Sequence, residues 1–169
     1  SELSSRESNE EIIVGTVKVL APTYGIDTLI NAFYLAYTEL LNRNPKLASQ
    51  LRLRIVGDGR QRSELEHLVQ GLGISEITNF VGRVPHQNVP LELEKLDIYV
   101  ALSLFESFGV AIIEAGAAGR PVVVSDAGGL PEVVVNNETG LVVPKADVKA
   151  ASIAIMQLIE KPELRIQMG

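Results

Sequence analysis

The sequence predicts an α/β fold, a doubly wound parallel sheet of about six strands. Three observations lead there. From residue 12 onward, short apolar runs rich in β-branched residues alternate with longer segments of helical apolar spacing. Each strand-like run is bounded by glycine, proline or polar clusters, and no segment repeats its neighbour. Strand and helix in strict alternation call for parallel strands joined by helical crossovers, which cover both faces of the sheet.

Residues 1–11, "SELSSRESNEE", are serine- and glutamate-rich without apolar periodicity and read as linker or disordered chain. The domain is expected over 12–169. Its first strand is "IIVGTVKVL", followed by a helix over about 26–42 that must stop before Pro45. "LRLRIVG" is the second strand, and a helix follows over about 60–72. "ITNFVG" gives the third strand, with a helix around 89–96 after it, and "DIYVAL" the fourth. A helix is expected after Phe108, then the strand "PVVVS", a short helix around "GLPEVVV", the strand "GLVVP" and a closing helix from about Asp147.

A chain of 169 residues suffices for one domain that buries about 70% of its unfolded surface. A hydrophobic fraction of 46% and a charged fraction of 21% are globular values. The net charge of −6 argues against nucleic acid as a partner, because backbone-phosphate binders carry a basic face. The absence of cysteine removes disulfides, thiolate metal sites and cysteine nucleophiles together, and fits a cytoplasmic protein. No apolar run reaches the length of a membrane span, and the polar N-terminus lacks the apolar centre of a signal peptide.

In a doubly wound sheet ligands sit at the carboxyl ends of the strands, where helix N-termini converge. The loops expected there are "LAPTYG", "GDGRQR", "GRVPH", "SLFESFG" and "SDAGGLP". No G-x-G-x-x-G follows the first strand, which disfavours a dinucleotide. The fourth loop opens a stretch with two carboxylates, Glu106 and Glu114, in surroundings otherwise short of charge. On a helix starting near residue 108, Phe108, Ala111, Ile112, Ala115 and Ala118 form an apolar stripe with Glu114 on its border. A carboxylate so placed needs donors, and ligand hydroxyls can be those donors. Equally, Glu114 can cap backbone amides or pair with Arg120, and Glu106 can complement the helix dipole. "GDG" at 57–59 is more often a tight turn than a phosphate cradle. His67 and His86 have no metal-ligand spacing, and no metal or cofactor is expected.

The run "SLFESFGVAIIEAGAAGRPVVVSDAGGLPEVVVNNETGLVVP" resembles the C-terminal, nucleotide-sugar-binding domain of retaining glycosyltransferases of the two-domain GT-B architecture, group 1 or family 4. "GIDTLINAF", "LRIVGDG" and "ITNFVGRVP" extend the similarity over about 12–160. The resemblance implies a Rossmann-like half of a GT-B fold and a nucleoside-diphosphate sugar as donor. It implies that Glu114 accepts hydrogen bonds from the ribose hydroxyls and that Glu106 holds a hydroxyl of the transferred sugar. The amides of Phe108, Gly109 and Val110 then face sugar and phosphate oxygens, while Arg83 and Val84 line the base. Gly57 and Gly59 complete the expected nucleotide-sugar-binding set, and Gly128, Gly129 and Glu132 match a turn of the family.

Two departures qualify the resemblance. The family's basic pair for the diphosphate is replaced by Thr16 and Tyr24, which leaves Lys18 as the nearest cation, with Arg60 or Arg62 as substitutes. Lys18 is therefore the expected catalytic cation, alongside Glu106 as a positioning residue; a solvated lysine beside a loop is the other reading. The second departure is the missing N-terminal domain that binds a sugar or lipid acceptor, so the chain reads as the excised half of an enzyme, inactive alone and peripheral to the membrane, if at all, through that domain. A nucleotide-sugar epimerase and a non-catalytic binding module are the alternatives.

Overall fold

The computed structural model describes residues 10–105, 120–127 and 140–162. Strand β1 spans Ile12–Val17 and β2 spans Leu51–Val56, both dominated by β-branched and leucine side chains that suit a doubly covered strand. Strands β3 (Thr78–Gly82), β4 (Ile98–Ala101), β5 (Val122–Ser125) and β6 (Gly140–Val143) complete a six-stranded sheet in the order β3-β2-β1-β4-β5-β6. All neighbours pair in parallel, so the expected class and strand number are observed. Winding runs outward from β1 in one direction to β3 and then restarts on its other side with β4. The switch point lies between β1 and β4, which pair through Val14 with Ile98 and Gly15 with Tyr99.

Helix α1 spans Ile26–Arg43 and buries Ile26, Leu29, Ile30, Phe33, Ala36 and Leu40, a stripe of helical spacing. It ends at Asn44 because Pro45 excludes the preceding residue from the helical region. Asn44 then caps the single turn α2 (Pro45–Ala48), its side chain accepting from Leu47 N at 3.2 Å. Helices α3 (Arg62–Leu72), α4 (Val89–Glu94) and α5 (Val148–Glu160) follow, the last capped by the Asp147 carboxylate on Ala150 N at 2.9 Å.

Alternate residues of each strand serve opposite faces. Val14, Leu53, Ile55, Val100, Val123 and Leu141 join α1, α3 and α5 in the main core. Ile13, Tyr99, Ala101, Val122 and Val124 join Leu93 and Leu96 in a second cluster on the other face. Burial of each large α1 side chain stabilises by about 1.5–3 kcal/mol, whereas the exposed Arg43–Glu160 pair that also links α1 to α5 is worth at most about 1 kcal/mol. Packing therefore sets the position of these helices.

Two helix ends differ from the sequence expectation. Helix α3 starts at Arg62 rather than about residue 60, because the preceding backbone is held by the loop after β1: Leu20 N donates to Asp58 O and Gln61 N to Leu20 O. Helix α4 ends at Glu94 rather than 96, its last turn tightening as Lys95 N and Leu96 N bond to Glu92 O and Leu93 O. That tightening lets Asp97 join β1, donating to Ile13 O at 2.8 Å and accepting from Ile13 N on its carboxylate at 2.8 Å.

Candidate functional site

The carboxyl ends of β1, β2 and β3 border a cleft of about 620 Å³. Five residues expected from the sequence line it together: Lys18, Gly57, Gly59, Arg83 and Val84. Val17, Val19, Val56, Asp58 and Val89 line it as well, and the sequence reading did not name them for the site. Their signal was position alone, since four of them flank the ends of strands already located and Val89 opens α4.

Lys18 is the first residue past β1, and its amide still donates to Val56 O at 3.0 Å. Thr16, two residues earlier, is 1% exposed and lies within the sheet layer, so the polar reach at this strand end belongs to Lys18. The Lys18 ammonium stands over the Tyr24 ring, 5.2 Å from its centroid. Tyr24 closes a 3₁₀ turn over Pro22–Tyr24, and Gly25 follows at φ 61°, a left-handed conformation that opens α1. Gly25 lies so close to Leu102 O that a β-carbon would clash. Leu104 N donates to Thr23 O at 2.7 Å, which joins the loop after β4 to the loop after β1 across the switch point.

Gly57 and Gly59 wall the cleft for a backbone reason. Gly57 adopts φ 130° with its α-carbon against Lys18 O, and Gly59 sits against Leu20. Both amides are in use: Gly57 N donates to Gly82 O at 2.8 Å and Gly59 N to the Asp58 carboxylate at 2.8 Å. The "GDG" segment is thus a close-packed turn whose contribution to the cleft is shape. Arg83 and Val84 owe their place to an irregularity in β3. The β2–β3 register shifts between Ile55 and Val56, so that Phe80 and Gly82 become successive partners and Val81 is extra. Such a bulge bends the strand and re-aims the residues after it, here toward the cleft.

Among the described residues, the charged side chains that line the cleft are Lys18, Asp58 and Arg83. Arg62, a substitute cation in the sequence reading, is engaged elsewhere: it pairs with Glu66 at 2.8 Å and Asp58 at 3.5 Å. The hydrogen bond to Glu66 pushes the Arg62 pKa further up, and the Asp58 charge adds to it. Arg60 is exposed and does not line the cleft, nor do the exposed His67 and His86.

Glu106, Phe108, Gly109, Val110 and Glu114, with Gly128, Gly129 and Glu132, lie outside the described residues. What is described is the approach to them. β4 ends at Ala101 beside β1, and the chain runs through Leu102 to an exposed Phe105 with Leu104 held by the loop after β1. Among the described residues no group of three or more histidine, aspartate or glutamate side chains is placed to hold a metal ion.

Known proteins share this fold. The chain is 32% identical over 164 residues to a GDP-mannose-dependent α-(1-6)-phosphatidylinositol monomannoside mannosyltransferase of Mycolicibacterium smegmatis, covering 93% of this chain and 41% of that protein. It is also 32% identical to a D-inositol 3-phosphate glycosyltransferase of Corynebacterium aurimucosum, covering 93% of this chain and 37% of the relative. The chain therefore spans less than half the length of these curated relatives. Among solved structures, Anabaena HepE in complex with UDP-glucose superposes at a TM-score of 0.81 with 26% identity, covering 99% of this chain and 44% of that one. The C-terminal domain of a Francisella tularensis group 1 glycosyl transferase shares the fold at a TM-score of 0.81 and 24% identity, covering 98% of this chain and 84% of that one. The sequence profile of the family described as "Glycosyl transferases group 1" matches residues 3–169. On that match and these relatives, the chain belongs to the group 1 glycosyl transferases.

Proposed function

We propose that this chain is the donor-binding part of a retaining glycosyltransferase, taking a nucleoside-diphosphate sugar in the cleft at the carboxyl ends of β1–β3. The observation that carries the reading is the convergence of Lys18, Arg83 and Val84 on one cleft of about 620 Å³, beside the switch point between β1 and β4. Val84 and Val89 offer apolar contact to a base, and Arg83 stands next to it. Lys18 meets the diphosphate. During transfer the bond from the anomeric carbon to the diphosphate oxygen breaks, and negative charge collects on the departing diphosphate. A fixed cation and oriented amides lower the energy of that charge more than that of the intact donor.

In this reading Glu114 takes the ribose hydroxyls, and Glu106 positions a hydroxyl of the hexosyl group without acting as a base. The amides of Phe108, Gly109 and Val110 supply donors at a helix N-terminus. The reading assigns no metal. An acceptor, a sugar or a lipid, is held by an N-terminal domain outside this chain, and the whole protein works in the cytoplasm, at the membrane surface for a lipid acceptor. Among the described residues no helix is long and apolar enough to cross a membrane. Support comes from a relative named for GDP-mannose and from a neighbour solved with UDP-glucose. Their bases differ, so the test uses both.

The test is titration of the chain with UDP-glucose, GDP-mannose, the free diphosphates and the nucleosides. One base series is expected to bind, without transfer by the chain alone. Glu114→Ala is expected to weaken diphosphate and nucleotide sugar by about 1.5–3 kcal/mol, as for a hydrogen bond to a charged group. Glu106→Ala is expected to weaken only the sugar-bearing ligand. Equal losses of bare diphosphate at both glutamates, or binding of neither series, overturns the reading.

A further inference from the structure

We infer that the cleft selects guanine as the base of its nucleotide, read by the Asp58 carboxylate and the Arg83 guanidinium. The inference rests on the proposed donor site and names the base which that site takes. Three observations carry it. Asp58 and Arg83 both line the cleft, and each follows one half of the bridge in which Gly57 N donates to Gly82 O at 2.8 Å. That bridge is antiparallel, so the two residues leave it in opposite directions, and no ion pair joins them to each other. Each also keeps hydrogen-bonding capacity. Asp58 Oδ1 accepts from Gly59 N at 2.8 Å and Oδ2 stands 3.5 Å from Arg62 Nη1, on a side chain that is 50% exposed. A carboxylate has about four acceptor sites, so these two contacts leave room for more. Arg83 is exposed, and among the described residues no hydrogen bond or ion pair engages its guanidinium.

An acceptor-only group and a donor-only group in one cleft call for a base with donors along one edge and acceptors along the next. Guanine is that base. Its N1–H and N2 amine are adjacent donors that match the two oxygens of a carboxylate, and its O6 and N7 are adjacent acceptors that match the guanidinium fork. Uracil is opposed by the same pair: its one ring N–H lies between two carbonyl oxygens, so a carboxylate that reaches it is pressed against O2 or O4. Adenine carries an amine where guanine has O6, which takes an acceptor from the guanidinium, and turns a bare ring nitrogen toward the carboxylate. The glycines of the "GDG" turn thus set the shape of the cleft, and Asp58 between them supplies its side-chain chemistry.

The experiment is titration of the chain with GDP, UDP, inosine diphosphate and xanthosine diphosphate for the wild type, Asp58→Asn and Arg83→Met, with a thermal melt of each. The wild type is expected to bind GDP about tenfold or more tighter than UDP, the discrimination of one good bidentate base contact. Inosine diphosphate, which lacks the N2 amine, is expected to bind about three- to tenfold more weakly than GDP, as for one hydrogen bond at a partly exposed site. That comparison needs no variant and stands if a variant fails to fold. Asp58→Asn keeps an oxygen for Gly59 N and adds an amide donor. It is expected to lose the preference for GDP and to favour xanthosine diphosphate, whose base bears a carbonyl in place of the amine. Arg83→Met is expected to weaken GDP more than UDP. UDP or inosine diphosphate bound as tightly as GDP by the wild type overturns the inference and leaves the donor site standing. Equal losses of GDP and UDP in either variant assign that side chain to the frame or to the diphosphate, and overturn it too. Binding of no diphosphate at all overturns the donor-site reading, and the choice of base falls with it.

Discussion

The carboxyl edge of the sheet and the contact between β2 and α4 on its second face are both polar, yet they are held together in opposite ways. At the carboxyl edge backbone packs on backbone: Gly57 against Lys18 O, Gly59 against Leu20, and Leu104 N on Thr23 O. Side chains such as Lys18 and Arg83 line the cleft beside this frame of backbone contacts. On the second face the link is between side chains. Arg54 from β2 donates to the Glu92 carboxylate through Nη2 at 3.0 Å and Nε at 3.2 Å, and Lys95 donates to its other oxygen at 3.0 Å. Glu92 is only 7% exposed. The difference teaches where each region is fragile: the cleft frame to an added β-carbon, the β2–α4 contact to a lost charge.

The sharpest way to break this comparison is Gly57→Ala. It combines a left-handed φ with a β-carbon pressed onto Lys18 O, neither of which the frame can relieve by rotating a side chain. A loss of about 2–4 kcal/mol is expected in urea or thermal unfolding, together with weaker ligand binding. A near-neutral Gly57→Ala would mean that the two loops are not locked.

Glu92 is next. Burial pushes its pKa up, but hydrogen bonds from Lys95 and Arg54 outweigh burial and leave it below the ordinary glutamate value. A depressed carboxylate contributes stability that is present above the unfolded pKa of about 4.3 and is lost as pH falls through the folded value. The wild type is therefore expected to lose this contribution progressively below about pH 4.3, and Glu92→Gln to flatten that limb of the stability profile. At neutral pH Glu92→Gln is expected to cost about 1–3 kcal/mol, less than a fully buried pair because Arg54 keeps some solvent contact. An unchanged acid limb in Glu92→Gln would remove the pair from the account.

Lys18→Ala sharpens the contrast from the other side. Because the frame is made of backbone, removing this side chain is expected to leave the melting temperature within a degree or two, roughly the effect of a surface substitution. Affinity for the diphosphate is expected to fall about tenfold while the nucleoside is unaffected, and the difference is expected to shrink in high salt, which screens a partly exposed charge. A large drop in melting temperature would make Lys18 part of the frame. The smallest effect belongs to Gly71→Ala, within α3 and with open space around the added carbon. Here alanine is expected to stabilise by about 0.5–1 kcal/mol, the opposite sign to Gly57→Ala.

By itself the sequence determined the alternation of strands and helices, the number of strands and the identity of the loops on the carboxyl edge. These come from local quantities: β-branched runs, helical spacing, and stops such as Pro45. Through the family resemblance it also named Lys18, Arg83 and Val84, which lie at strand ends that a parallel sheet brings to one edge. What only the tertiary structure decided depends on neighbours distant in the chain. The order β3-β2-β1-β4-β5-β6 sets the switch point between β1 and β4, and nothing local distinguishes that order from another. The late start of α3 reflects backbone bonds from Leu20, and the aim of Arg83 reflects a bulge opposite Ile55 and Val56. Tyr24 could be read from sequence only as a missing cation; that the Lys18 ammonium stands over its ring is visible only in the fold. The amide of Gly57 likewise looks open in sequence and is closed by Gly82 O in the fold. For the switch point, the start of α3, the aim of Arg83 and the Gly57 amide, the sequence supplies a group, and the partner that fixes its role arrives only when segments far apart in the chain are laid side by side.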